Sequence, residues 1–196
     1  MANSDKVSGF KLVAGSARPN KFLKCAVSAA YGTALAVGDA VVRSGTLNAE
    51  TGSQAKNLRN GLVEVQVLTA GATNGLGVIV SVEANPDDLS KTHIPASTGG
   101  LVTVCTDPFA HYVVQEDSVG STLAAVDAGL LIDLIDAGVS ASGVSGMEID
   151  SSTVTTSGQF RLHQLYSPNL ENAIGANAKW IVSWAEHEDI TDAVSV

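Results

Sequence analysis

The sequence predicts an all-β protein, an antiparallel β-barrel or sandwich of short strands with long loops and an extended N-terminal arm. Three observations carry that expectation. Period-two alternation recurs along the chain, most cleanly in Leu62-Val-Glu-Val-Gln-Val-Leu-Thr69, where Val63, Val65 and Val67 share one face and Glu64 and Gln66 the other. Turn formers punctuate such runs at strand-like intervals, and glycine alone contributes 19 of the 196 residues. The third observation is the stretch from Leu101 to Asp117, where two β-branched runs meet at Asp107-Pro108. Proline has no N–H to give to a ladder, so this stretch reads as a strand, a corner and a second strand. Val102 and Val104 alternate there with Leu101, Thr103 and Cys105, and Tyr112 and Val114 with His111, Val113 and Gln115.

A hydrophobic content of 45% is enough for a real core, while aromatic residues at 5% leave that core to Val, Leu, Ile and Ala with a few rings as anchors. Residues 1–20 join a polar start to the apolar patch Phe10-Lys-Leu-Val13 and then to Gly15-Ser-Ala-Arg-Pro-Asn20. They read as an extended arm ahead of a single β-rich domain, residues 21–196.

Within the domain the alternation predicts a strand over Phe22 to Ser28, and after the Gly38-Asp39 turn a second one at Ala40-Val-Val-Arg43. Ser44 to Asn60 is polar and aperiodic, hence an excursion loop. Leu62 to Thr69 and Gly75 to Glu83 are the next strands, the latter with Leu76, Val78, Val80 and Val82 on one face, and the link between them suggests hairpin partners. Asn85-Pro-Asp-Asp88 breaks the chain, and Ser90 to Gly100 is a loop. Ser121 to Gly138 admits an amphipathic helix with Leu123, Val126, Leu130 and Leu134 on one face, capped by Asp117 or Ser118. Gly129 inside such a helix costs roughly 1 kcal/mol relative to Ala. A turn through Asp127-Ala-Gly129 followed by a strand Leu130 to Ile135 is therefore preferred. The Gly/Ser-rich Ala137 to Gly146 reads as a turn region, with strands at Ser152 to Thr156, Phe160 to Tyr166 and Lys179 to Glu186.

The net charge of −9 excludes a protein built to embrace nucleic acid, since phosphate binding rests on clustered Lys and Arg and the 11 present are scattered. No apolar run approaches the ~20 residues that cross a bilayer, and Met-Ala-Asn-Ser-Asp-Lys lacks the order of a signal peptide. Residence in a cytoplasm until assembly is the expectation, with no membrane partner. Cys25 and Cys105 lie far apart without C-x-x-C spacing, which points to two buried reduced thiols.

Motifs for catalysis fail on inspection. Gly75-Leu-Gly77 runs on as a strand with Val80 at the third glycine position of a dinucleotide fingerprint, and Gly143-Val-Ser-Gly-Met147 misses the nucleophile elbow at its last residue. His93, His111, His163 and His187 form no local metal clip, and no calcium loop gathers the carboxylates. Cys105 paired with His111 or His163 is the sharpest enzymatic idea, because an imidazole lowers a neighbouring thiol pKa. Structural roles for all three account for the pattern better, so no catalytic residue, cofactor or metal is expected. Glu186-His-Glu-Asp189 reads as an exposed tail. Trp180 and Trp184 share a strand face, more in keeping with core anchors than with a carbohydrate platform.

Several stretches together resemble the β-rich decoration, or cement, proteins that coat the heads of tailed bacteriophages. They are Gly9-Phe-Lys-Leu-Val13, Thr33-Ala-Leu-Ala-Val-Gly-Asp-Ala-Val-Val42, Gly75-Leu-Gly-Val-Ile-Val80, Asp107-Pro with Val114-Gln-Glu-Asp117, Ser142-Gly-Val-Ser-Gly-Met-Glu-Ile-Asp150, and Arg161 to Tyr166 before Pro168-Asn169. The pieces follow one another over nearly the whole chain, and each alone is only a turn and a strand. Arg18-Pro-Asn-Lys21 stands where such chains show an aromatic and glycine-rich patch. The resemblance implies a non-enzymatic virion protein, made in the host cytoplasm, that binds the outer capsid surface. Its partner would be the major capsid protein, whose neighbouring subunits it would bridge and stabilise, often as a homotrimer. Phe10, Leu12 and Val13 on the arm are the expected capsid contacts. The alternative from another class is a carbohydrate-binding or tail-associated β-module of the virion, which would show Trp180 and Trp184 on an exposed face.

Overall fold

The computed structural model describes residues 3–19, 21–49, 60–85, 88–167 and 172–191. Five strands close into a barrel: β2 (Phe22–Val27), β3 (Ala40–Leu47), β4 (Val63–Val67), β5 (Gly77–Val82) and β6 (Gly100–Cys105), in the spatial order β2-β4-β3-β5-β6. Neighbours are antiparallel except β2 and β4, which run parallel with Ala26 beside Glu64. The second layer is an antiparallel sheet, β1-β7-β12-β11-β8, made of β1 (Lys11–Leu12), β7 (His111–Gln115), β8 (Leu131–Ile132), β11 (Phe160–Leu165) and β12 (Lys179–Trp184). A hairpin of β9 (Leu134–Val139) and β10 (Ser145–Ile149) completes the strands, and α1 (Glu188–Thr191) follows β12.

Alternation on each strand sorts side chains into two cores. Cys25, Val27, Val41, Val65, Ile79, Val102 and Val104 fill the barrel interior with Leu35, Leu76 and Ile94 from its loops. Ala40, Val78 and Cys105, from the outer side of the same barrel strands, join Tyr112, Val114, Phe160, Leu162, Trp180, Val182 and Trp184 of the sheet. Barrel and sheet thus share one apolar interior. The chain passes between them at the Asp107-Pro108 corner, where the sequence places its bend.

Phe10 ties the N-terminal segment to that interior. Its ring is 2% exposed, stacks on Phe160 with centroids 4.6 Å apart and meets Tyr112 edge-on at 6.4 Å. The preceding Gly9 sits at φ +65°, and a Cβ there would meet the Ser145 hydroxyl and the Gly38 carbonyl, so only glycine lets the backbone through. Phe10 N–H then donates to that same carbonyl at 2.9 Å, and β1 pairs with β7 through Lys11 with Val113 and Leu12 with Tyr112. The N-terminal segment lies against the domain and supplies Lys11–Leu12 as the edge strand of the sheet.

Other expectations need correction. β4 and β5 are not hairpin partners, because β3 lies between them and pairs with both. β3 continues to Leu47, into the segment read as a loop, while residues 50–59 lie outside the described residues. Val78 and Ile79 enter different cores, and a bulge between Ile79 and Ser81 resets the alternation, so Leu76, Val78, Val80 and Val82 do not form one face. Ser152 to Thr156 is no strand: Thr155 makes a single bridge to Leu131. The strand is β10 instead, where Ser145, Met147 and Ile149 point inward. Ser121 to Gly138 holds a single 3-10 turn at Ala125–Asp127 and then strands, as preferred, with Val126 exposed. Glu186 to Asp189 is no free tail. His187 is fully buried edge-on to Trp184 at 5.5 Å, and Arg43 clamps Glu188 with bonds of 2.7–2.9 Å.

Replacing Phe10 with Ala removes a ring from the shared core, and substitutions of this kind cost about 3–5 kcal/mol. Urea denaturation of Phe10→Ala is expected to show a loss in that range, with barrel and sheet still unfolding in one transition; a loss under about 1 kcal/mol would show that the arm is not part of the core.

Candidate functional site

Of the three expected contact residues, the structure uses Phe10 internally. Leu12 and Val13 remain half-buried at the open edge of the sheet. Val13 N–H donates to the His111 carbonyl at 2.9 Å, so by the alternation of an antiparallel ladder Leu12 and Tyr112 are the non-hydrogen-bonded pair. The N–H and C=O of Leu12 therefore face away from β7, along a free strand edge.

Grooves flank this edge on both sides. One, of about 520 Å³, lies on the outer face of the sheet and is lined by Lys11, Val13, Val113, Gln115, Tyr166 and Lys179 among others. The other, of about 500 Å³, separates β1 from the barrel and carries Leu12, Val37, Val80 and Val144, with Val37 and Val144 exposed. Apolar residues left open beside an unpaired strand edge are a recurrent setting for protein contact.

Where the first groove meets the N-terminal segment, Gln115 joins three chain segments. Its amide donates to Asp5 at 2.9 Å and Glu148 at 3.1 Å, and its oxygen accepts from Lys6 N–H at 3.0 Å. Burial pushes the Glu148 carboxyl up to about 7, with Asp5 and Asp117 adding repulsion against the Gln115 bond that lowers it. Asp39, buried behind the Gly38 turn, is pushed up to about 6 by desolvation in spite of bonds from Ser145 and the Ala36 N–H.

The outer face also gathers His111 from β7, Ser183 from β12 and His163 from β11. His163 follows inward-facing Leu162 and so lies on this face, where Nε2 shares a hydrogen bond of 2.8 Å with the Ser183 hydroxyl. The imidazoles of His111 and His163 stand 4.7 Å apart. Burial, then the neighbouring His111 and Arg161, lowers the His163 pKa. The hydroxyl and imidazole have no carboxylate hydrogen-bonded behind them among the described residues, so the third member of a nucleophilic relay is missing.

The Cys105–His111 pair does not assemble. Cys105 is buried in the shared core and His111 stands on the opposite face of the sheet. Cys25 is likewise buried, its thiol pushed up to about 11 by desolvation. Trp180 and Trp184 are buried at 1% and 4% exposure and offer no platform. Among the described residues no group of three or more His, Cys, Asp or Glu side chains is placed to hold a metal, and no helix is long and apolar enough to cross a membrane.

Sequence reasoning missed Lys179 and Tyr166 as groove residues and Lys11 as more than a spacer in the arm. The available signal was the alternation itself, which puts Lys11 with Val13, and Lys179 with Ile181, on the face opposite the core. No protein-family model, curated protein or solved structure matches the chain. Fold and site together define an all-β protein, a closed barrel fused to an open-edged sheet with a groove on either side of its first strand.

A raised carboxyl pKa means that the fold prefers the protonated acid. The contribution from Glu148 is complete below its ordinary value of 4.5 and is lost as pH rises to about 7; that from Asp39 is lost between 3.8 and about 6. His163 and His187, lowered by burial, act oppositely and weaken the fold as pH falls below 6.5. Denaturation midpoints of Glu148→Gln are therefore expected to draw level with or exceed those of the natural protein as pH climbs from 4.5 to 7. Parallel curves for the two proteins would contradict the assignment.

Thiol labelling gives a second check: both cysteines are expected to react with an aromatic disulfide reagent only at the rate of unfolding. Labelling of Cys105 in the folded state within seconds would reopen the thiol chemistry.

Proposed function

We propose that the chain is a structural virion protein that decorates the outer surface of a tailed-phage capsid, contacting the major capsid protein and bridging neighbouring shell subunits as a homotrimer. The observation that carries this reading is the free edge of β1, with Leu12 and Val13 half-exposed between two open grooves on a rigid β scaffold. It stands beside the likeness of the sequence to capsid decoration proteins. A fixed edge strand can extend a partner's sheet through its backbone. Many copies on a lattice add avidity to a modest single contact, and binding only the assembled shell stabilises it by mass action.

The burial of Phe10 decides how the reading is tested. Deleting residues 1–20 would open the core, so loss of binding in that variant would say nothing about contact. Purified protein mixed with capsids that lack it is expected to cosediment to saturation, and Val13→Asp to bind at least tenfold more weakly with an unchanged melting temperature. Absence of cosedimentation of the natural protein would defeat the reading.

A further inference from the structure

The five strands of the open sheet carry no acid. β1, β7, β8, β11 and β12 supply Lys11, His111, Arg161, His163 and Lys179 and not one Asp or Glu, in a chain with 20 acidic residues against 11 Lys and Arg. Because Tyr112, Val114, Phe160, Leu162, Trp180 and Val182 fill the core, the alternate positions Lys11, His111, Val113, Arg161, His163 and Ile181 fall on the outer face.

Four cations elsewhere are neutralised within the molecule. Arg18 meets Asp107, Lys21 meets Asp189, Lys24 meets Glu83 and Arg43 meets Glu188. Among the described residues Lys11, Arg161 and Lys179 of the sheet have no such ion pair, nor do Lys6 and Lys91 away from it, and Arg161 gives one N–H to the Gly129 carbonyl. Lys11 and Lys179 both border the groove of about 520 Å³, whose other walls include the half-buried apolar surfaces of Val13, Val113 and Tyr166. Asp5 and Glu148 stand at its Gln115 end, both engaged by the Gln115 amide, and limit the positive stretch on that side.

We propose that this groove is the docking surface for an acidic segment of the shell subunit, with carboxylates paired to Lys11 and Lys179 and an apolar side chain seated on Val13, Val113 and Tyr166. The assignment rests on the capsid reading above and adds the chemistry of the partner. Unpaired positive charge on an otherwise acidic protein steers an anionic partner to one face and repels it from the others. The apolar floor supplies the desolvated centre that a stable contact needs.

The test is cosedimentation with capsids lacking the protein, over a range of salt, using the natural protein, Lys11→Glu/Lys179→Glu, and Lys91→Glu as a charge-reversal control away from the groove. Affinity of the natural protein is expected to fall at least tenfold between 50 and 500 mM salt. The double variant is expected to bind at least tenfold more weakly at low salt with an unchanged melting temperature, and Lys91→Glu to stay within twofold. Natural protein that binds while the double variant binds equally well overturns the docking surface and leaves the capsid reading intact. Natural protein that fails to bind defeats that reading and the inference together. Saturable binding of duplex DNA by the natural protein, lost in the double variant, would assign the face to nucleic acid and overturn the acidic-segment proposal.

Discussion

A carboxylate buried at the joint between the two layers organises this chain. Asp107, its side chain 1% exposed, accepts from the Arg18 backbone N–H at 2.7 Å, from the Arg18 guanidinium at 2.8 and 3.1 Å, and from Phe109 N–H at 3.1 Å. A buried charge is tolerated only when paired and hydrogen-bonded, and the Arg18 bonds hold this carboxyl at about 2 against the opposing cost of burial. The bond to Phe109 N–H shapes the corner by which the chain leaves β6 and enters β7. The bonds to Arg18 fix the end of the N-terminal segment at that same corner. With residue 18 anchored there and Gly9 threaded past Gly38 and Ser145, the segment between has to run beside β7. β1 and its free edge follow from those two anchors.

The shared core follows as well. A chain with few aromatic residues places Phe10, Tyr112, Phe160, Trp180 and Trp184 in one cluster between barrel and sheet, so a ring from the first residues packs on rings from the last strands. His187 and the Arg43–Glu188 clamp close the C-terminal side onto the barrel by the same logic, a buried ring backed by an ion pair. Interior aromatic and thiol groups are thereby committed to packing. What remains open to a partner is backbone edge, groove and surface charge.

Much of this was legible in the sequence because period-two alternation and proline positions are local signals. The all-β class, the corner at Asp107-Pro108 and the strands β2, β4, β6, β7, β11 and β12 fall where the pattern puts them. What failed was non-local or masked by composition. Nothing in the link from Thr69 to Gly75 reveals that β3 inserts between β4 and β5, since pairing is decided by barrel closure. The glycines and serines around Ser145 hid a strand whose Ser145, Met147 and Ile149 alternate correctly, whereas the β-branched Ser152 to Thr156 found only one bridge. Phe10 reads as part of an arm because nothing nearby in sequence packs on it; its partner Phe160 lies 150 positions away. Of the contact surface, Leu12 and Val13 were visible as an apolar patch, but the meeting of Lys11 and Lys179 across a groove depends on the order of β1, β7 and β12.

Charge is where sequence and fold diverge most. A net charge of −9 describes a molecule that repels anions, and scattered basic residues give no patch when read along the chain. Folding sorts them. Arg18, Lys21, Lys24 and Arg43 find carboxylates, while the sheet strands, chosen for alternation with a buried aromatic face, bring their outward Lys, Arg and His together without an acid among them. The result is a molecule of net negative charge with one sheet whose strands carry cations and no acid. On the proposed reading, polarity of this kind orients each copy before contact and keeps copies from stacking on one another through their acidic sides. The apolar groove then needs to supply only a modest affinity per site, because a lattice of equivalent sites multiplies it.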